Sequence, residues 1–475
     1  MSHRALSRRI VAPLFCPWAR PFAVLLALLP GRAAVAQSDL FQDEIDLAGR
    51  TTLTLGAGAR AYGMGGSFLA RADDATAASW NPAGLSYLRI PELSLVGNYN
   101  VFRSTVGIEG SDETDELRGG TFVDFASFTW PIRIGGSLGS VQVNYQRGVP
   151  FDGSRTIRTD DPFGPRSATG ESDGGYDVIA FGTGLKVTRK LRVGATLNRW
   201  FNGYTAGLER TVPSGLRPRR VLGQEFHLSG WNSNLGLMFS PVDEVNLGVV
   251  FKTAFIGKVE LAKTRTDYYS DPATDEALGT TRNAFSSDDV RIDFPWSLGF
   301  GVSWRPRSQL TLSADYTKTN WSESTIRNYF TLTATPLSTP DQPPPPTVYP
   351  SLPYPYVYLQ QGQNDSEEIR VGVEYVLIRE SLKVPLRAGY FNDKQINIFG
   401  VESAPRFNGF TVGTGVILGA VVFDVAYLYE FGELFRSTEI VPGDDSANNV
   451  VQESVRSTIH NQRFFASLIY RFGRP

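Results

Sequence analysis

Several stretches of this chain alternate apolar and polar residues with a period of two. Leu310, Leu312, Ala314 and Tyr316 share one side, against Thr311, Ser313, Asp315 and Thr317 on the other. Ile369, Val371, Val373, Tyr375 and Leu377 oppose Arg370, Gly372 and Glu374. Val421, Phe423, Val425, Tyr427 and Tyr429 oppose Asp424, Ala426 and Glu430, and Val141, Val143 and Tyr145 oppose Gln142, Asn144 and Gln146. Successive side chains of a strand point to opposite faces, so each stretch reads as a strand with one apolar and one polar face. On this reading fourteen strands begin near Glu92, Thr121, Ser137, Tyr176, Leu191, Gln224, Glu244, Asp289, Gln309, Glu367, Leu382, Phe407, Ala420 and Ile459.

The connections between them alternate in length. Short turns are expected at Ile134–Gly136, Thr188–Lys190, Ser240–Asp243, Arg305–Ser308, Arg379–Ser381 and Leu418-Gly419, and long loops in the other gaps. A water-soluble sandwich shows the same alternation along its strands. An even strand number with short turns at one end and long loops at the other is instead the layout of an outer-membrane β-barrel, apolar toward lipid and polar toward the lumen. Trp130, Phe239, Trp304, Tyr470 and Phe472 all fall near the short-turn end, where an interfacial aromatic girdle belongs. The long connections Phe151–Gly175 and Thr264–Ser287 read as polar surface loops. Ser338–Tyr358, with Pro343–Pro346, reads as a stiff, polyproline-like one.

One stretch, Leu55–Leu88, does not alternate. It carries glycines at 56, 58, 63, 65 and 66, which suit close packing against another wall. Phe68, Leu69, Ala72, Ala75 and Ala78 then recur at roughly helical spacing, and Asn81-Pro82 ends that helix because the residue before proline is pushed out of the α region. A barrel of this size needs a filling. Residues 37–90 are the compact non-strand segment able to supply it, ahead of a barrel over 91–475.

Three sub-motifs in this stretch carry a family resemblance: Gly58-Ala59-Arg60-Ala61-Tyr62-Gly63-Met64-Gly65-Gly66, Ala72-Asp73-Asp74-Ala75 and Asn81-Pro82-Ala83. Their order and spacing resemble the N-terminal hatch of the FadL/TodX family, outer-membrane transporters of long-chain fatty acids and hydrocarbons. Looser similarity follows at Phe294–Gly299, Leu310–Tyr316, Val384–Tyr390, Thr411–Gly415 and Phe423–Tyr427. The chain departs from the family pattern at its end, where Phe472 is followed by Gly473-Arg474-Pro475. The resemblance implies an all-β, membrane-spanning antiparallel barrel of about fourteen strands with a helical hatch in its lumen. It implies passive uptake of hydrophobic small molecules, captured among the loops, held above the hatch and released sideways through the wall. It also implies a monomer placed by the barrel-assembly machinery among outer-membrane lipid and lipopolysaccharide. A structural or secretion-associated barrel of the PorV-like group shares the hatch motif and is the rival reading; a membrane-embedded hydrolase is a weaker one.

Composition narrows the chemistry. Residues 1–36 read as a secretory signal: Arg4, Arg8 and Arg9, an apolar run over Phe22–Leu29, and the small residues Ala34-Val35-Ala36. The apolar run is far short of the ~20 residues of a spanning helix. Cys16 is the only cysteine, so cleavage would remove thiol, disulfide and thiolate chemistry altogether. The signal holds five arginines and no acid, leaving 41 basic against 48 acidic residues, about −7, which argues against nucleic acid as a partner. Only His227 and His460 remain outside the signal, neither beside a nucleophile elbow, and no catalytic residue or cofactor is expected. Asp73-Asp74 read as capping or hydrogen-bonding groups rather than metal ligands, and Asp160-Asp161 and Asp288-Asp289 as surface-loop acids, with calcium binding there the weaker alternative. Gly56–Gly66 lacks a P-loop lysine.

For ligand contact the hatch offers Phe68, Leu69 and Trp80, with Asn81, Pro82 and Ala83 matching the family motif. By parity Arg370 and Arg387 face the lumen, since arginine on the lipid face costs ~2–4 kcal/mol at the midplane. Each could pair with a ligand carboxylate or with a lumen acid, the acid being the commoner outcome.

Overall fold

A computed structural model describes residues 56–108, 114–151, 153–161, 164–211, 219–270, 277–327, 331–338, 347–348, 359–360, 364–379, 382–396, 404–440 and 451–473. The expected signal with Cys16, the first part of the hatch and most of the proline-rich connection lie outside these residues, as do the side chains of Asp160, Asp161, Asp288 and Asp289.

Among the described residues fourteen strands form a closed antiparallel wall. They are β1 (Glu92–Ile108), β2 (Thr114–Ile134), β3 (Ser137–Pro150), β4 (Gly164–Lys186), β5 (Leu191–Phe201), β6 (Arg219–Val242) and β7 (Val245–Lys252). The second half is β8 (Ser297–Arg307), β9 (Leu310–Thr319), β10 (Ser366–Arg379), β11 (Leu382–Lys394), β12 (Arg406–Leu418), β13 (Val421–Ile440) and β14 (Val451–Arg471). Each pairs with its neighbours in sequence, and β1 pairs with β14 from Glu92↔Arg471 to Ile108↔Val455, so the wall has no free edge.

Parity holds where it was read. Gln142 is 3% exposed between Val141 at 41% and Val143 at 42%. Arg387 is buried between outward Leu386 and Ala388. Trp130, Phe239, Trp304, Tyr470 and Phe472 all point outward near the short-turn end. The β2–β3 turn has two residues: Gly135 and Gly136 have φ of 55° and 85°, the two positive values that a two-residue turn matching strand twist requires.

Two expectations are corrected. Phe151–Gly175 and Thr264–Ser287 are not loops. Strands Gly153–Asp161, Gly203–Thr211 and Phe255–Ser270 continue the sheet beyond the wall, pairing with the N-terminal parts of β4 and β6, and Ala277–Phe294 pairs in turn with Phe255–Ser270. Their Thr- and Tyr-rich runs pair across strands without needing an apolar face, because no lipid meets them there. The strand placed near Asp289 is therefore two: one ends at Phe294 and β8 starts at Ser297, with Pro295, which has no N–H to donate, at the break.

The second correction concerns the hatch. It contains α1 (Ala59–Gly63), α2 (Ala77–Trp80) and a 3₁₀ helix over Pro82–Tyr87, but no helix runs through Phe68–Ala75. The Leu69 N–H goes to the Asp315 carboxylate at 2.8 Å and the Thr76 N–H to the Asp74 carboxylate at 2.9 Å. Side chains thus take donors that a helical ladder would use. Asn81, at φ −141°, is extended before Pro82, as the proline demands.

Nearly every hatch residue from 56 to 88 is buried. Inward glycines of the wall make room for it. A Cβ at Gly194 would overlap the Pro82 backbone, one at Gly248 the Leu69 carbonyl, and one at Gly389 the Gly65 amide.

Candidate functional site: a clamped hatch in the barrel lumen

The hatch is held by rings, by backbone bonds and by charge. Tyr62 stacks on Phe465 of β14 at 4.2 Å between centroids and meets Trp80 edge-on at 5.8 Å. Phe68 meets Trp80 at 6.1 Å, and the Trp80 indole N–H donates to the Ala57 carbonyl at 2.8 Å. The Asn81 amide donates to the carbonyls of Leu69 at 2.8 Å and Leu237 at 3.2 Å, while its oxygen accepts the Ala83 N–H at 3.1 Å. One short side chain therefore fastens two parts of the hatch to each other and to β6.

Strands far apart in the barrel supply further partners. Ser467 Oγ accepts the Ala59 N–H at 2.7 Å. Thr411 Oγ1 accepts from the Gly65 N–H at 2.8 Å. Gln142 and Ser140 donate to the Ala75 and Leu85 carbonyls at 2.8 and 2.6 Å.

A buried charge network joins hatch and wall. Glu374 of β10 accepts from Arg60 at 3.3 Å, Arg71 at 3.3 Å and Arg387 at 2.8 Å. Arg60 also reaches Asp73 at 2.7 Å and Asp74 at 3.3 Å, Arg71 pairs with Asp73, and Arg387 with Asp424 at 2.7 Å. Burial, then the neighbouring Arg60, push the Arg71 guanidinium down to about 9. A second group lies beside it: Arg370 pairs with Glu368 at 2.9 Å and Asp393 at 3.5 Å and donates to the Gly65 carbonyl at 3.3 Å. Removing one partner of a buried pair strands the other and costs about 3–5 kcal/mol, so these contacts hold the hatch in one position even where their net contribution is small.

The residues singled out for ligand contact or for the hatch motif are thus all in the lumen, in different roles. Phe68, Trp80 and Tyr62 form one ring cluster. Leu69 seats on the wall glycines, and Asn81, Pro82 and Ala83 pack against β5 and β6. Arg370, Arg387 and Arg60 are each paired with acids, and Asp73 and Asp74 with arginines. His227 is exposed, 3.8 Å from Glu225, and His460 Nδ1 is 2.8 Å from the Tyr429 hydroxyl.

Sequence reading missed an aromatic cluster toward the long-loop end. Phe255 stacks on Phe294 at 4.6 Å and on Trp200 at 5.5 Å. Tyr204 stacks on Phe226 at 4.9 Å and lies 4.3 Å from Phe151, with Tyr176 edge-on to Phe151 at 5.2 Å. These residues sit where wall strands pass into the extension, in segments that read as loop margins. Their inward parity was the available signal.

Beside this cluster the wall is interrupted. β2 and β3 pair from Ile134↔Ser137 up to Phe125↔Gln146, and among the described residues no pair follows although both strands continue. Asp124 and Gly148 are skipped in the pairing with the outer neighbours, so both strands bulge at this level. A Cβ at Gly148 would come within 2.8 Å of the Trp200 ring. The Arg147 guanidinium reaches across, 5.8 Å from the Phe122 ring centroid.

A family model described as "Outer membrane protein transport protein (OMPP1/FadL/TodX)" matches residues 50–396. No curated protein matches the chain. A FadL homologue of Pseudomonas aeruginosa superposes with a TM-score of 0.57 at 14% identity, covering 88% of this chain and 99% of its own. The toluene transporter TodX of Pseudomonas putida gives 0.52 at 14%, over 88% and 98%. The toluene transporter TbuX of Ralstonia pickettii gives 0.51 at 15%, over 88% and 99%. At these identities the likeness shows the shared fold, whereas the family match spans most of the sequence: the chain belongs to the OMPP1/FadL/TodX family of outer-membrane transport proteins.

Proposed function

We propose that the protein admits hydrophobic compounds, fatty acids or hydrocarbons such as the toluene named for its structural neighbours, by passive diffusion with sideways release through the wall. The interrupted β2–β3 ladder carries this reading. A solute held against Trp200, Tyr204 and Phe255 lies next to a stretch of wall where, among the described residues, β2 and β3 are not paired, while the route straight down is filled by the clamped hatch. In this scheme Phe68, Leu69 and Trp80 face the solute only when the hatch shifts. Arg370 and Arg387, already paired, act as hatch anchors, with a ligand carboxylate competing for them. Cleavage after residue 36 and a hatch beginning at 37 belong to the same proposal.

The test removes the bulge. Deleting Gly148 brings β3 into continuous register with β4 and offers β2 a regular edge. Uptake of labelled toluene or fatty acid in cells should fall at least about tenfold, a barrier change of about 1.4 kcal/mol. The heat-modifiable gel shift of the folded barrel should persist. Undiminished uptake by a folded deletion variant overturns sideways release.

A further inference from the structure

At the short-turn end a cavity of about 180 Å³ lies between hatch and wall. The hatch contributes Arg71 and Tyr87; the wall and its turns contribute Arg189, Arg192, Asp243 and Arg305. Charge there is unbalanced. Arg71 is taken by Asp73 and Glu374. Among the described residues Arg189, Arg192 and Arg305 have no carboxylate partner, against the single unpaired carboxylate of Asp243.

Arg192 is the telling member. Its side chain is buried, with 8% of the residue exposed, and its guanidinium lies 4.0 Å over the Tyr87 ring. Its Nε and Nη1 are both buried without a hydrogen-bond partner. A stacked ring satisfies the face of a guanidinium but none of its N–H donors, and leaving buried donors unmade costs free energy unless something accepts them. The group that matches several converging guanidinium forks is a small oxyanion, a carboxylate or a phosphate, taken through charge-assisted bonds.

We propose that this cavity binds such an oxyanion, which bridges Arg192 and Arg305 of the wall to Arg71 of the hatch and so staples the hatch shut from the periplasmic side. The site is distinct from the aromatic cluster and independent of the transported solute.

The full chain is tested in nonionic detergent at constant ionic strength, with potassium phosphate, acetate or octanoate replacing chloride. Hydrogen exchange of hatch amides 69–88 reports opening. At an anion concentration about ten times Kd, opening should fall about tenfold relative to chloride. Arg192→Gln should abolish that response and Arg192→Lys should retain part of it, both with an unchanged folded-barrel gel shift. Should Arg192→Gln fail to assemble, Arg305→Gln, an exposed position near the end of β8, should still weaken the anion response. Protection by phosphate but not octanoate identifies a phosphate site, and the reverse a carboxylate site. Equal exchange in all anions, or an Arg192→Gln or Arg305→Gln protein that responds like the parent, overturns the proposal. Neither outcome bears on solute uptake.

Discussion

At the scale of single residues the lumen wall is governed by parity. Arg387 and Leu386 are neighbours with opposite surroundings: one is buried among Glu374 and Asp424, the other faces lipid. Arg387→Ala leaves Glu374 to Arg60 and Arg71 but strands Asp424, a loss of about 3–5 kcal/mol felt at the hatch contact. Leu386→Arg puts a charge into lipid at about 2–4 kcal/mol, felt in insertion itself. In a refolding assay read by gel shift, Arg387→Ala should give a full yield of folded barrel with a hatch more open to proteolysis, and Leu386→Arg a reduced yield. Equal yields would mean the register of β11 is wrong. Which face each arginine takes was legible in the sequence, because a period of two needs only local residues. Which acid it meets was not, because Arg60 and Glu374 are 314 positions apart and come together only through the closed wall.

At the scale of elements the wall strands were largely legible and the hatch was not. Thirteen expected starts fall on or beside wall strands; the Asp289 start failed because the break at Pro295 lies inside one apparently continuous run. Polar extension strands lack the lipid-facing stripe that marks the others, so they read as loops. The hatch followed neither period: its own carbonyls take many of its amides in isolated turns, as Gly58 does for Tyr62 and Ala77 for Asn81, while Asp315, Thr411 and Ser467 from the wall accept from others. Its shape therefore depends on tight fits. At Gly84 a Cβ would overlap the Ala72 carbonyl, so Gly84→Ala must displace the 3₁₀ helix. Asn81→Ala removes three hydrogen bonds and leaves buried groups unmade, at about 1–3 kcal/mol each. Both variants should keep the barrel gel shift and expose hatch amides to exchange, Gly84→Ala the more; an unaltered exchange pattern for both would show that the hatch does not depend on these contacts.

At the scale of the whole molecule the hatch separates two compartments. A wall of fourteen strands encloses a lumen wide enough to conduct unless filled. Deleting Leu55–Ser79 takes away α1, Arg60, Arg71 and the Tyr62–Trp80 cluster's larger part. Liposomes carrying that variant should swell in small polar solutes that the parent excludes, while selective uptake of a hydrophobic solute falls. Liposomes as tight as those of the parent would show that other residues close the pore.

The clamp also constrains the order in which the molecule can be made. Ala59 is bonded to Ser467, 408 positions later, and Gly65 to Thr411, 346 positions later. The chain leaves the ribosome hatch first, yet the hatch partners on β10, β12 and β14 come last. Contacts of such long sequence separation form only after the loop entropy between them has been overcome. Through most of translocation the hatch is therefore a segment without a seat, its glycines and arginines open to other surfaces. The strand that closes the wall, β14, is also the one that receives Ala59 and stacks Phe465 on Tyr62. Closing the barrel and docking the hatch are one event, and a chain truncated before Phe465 would lose both together.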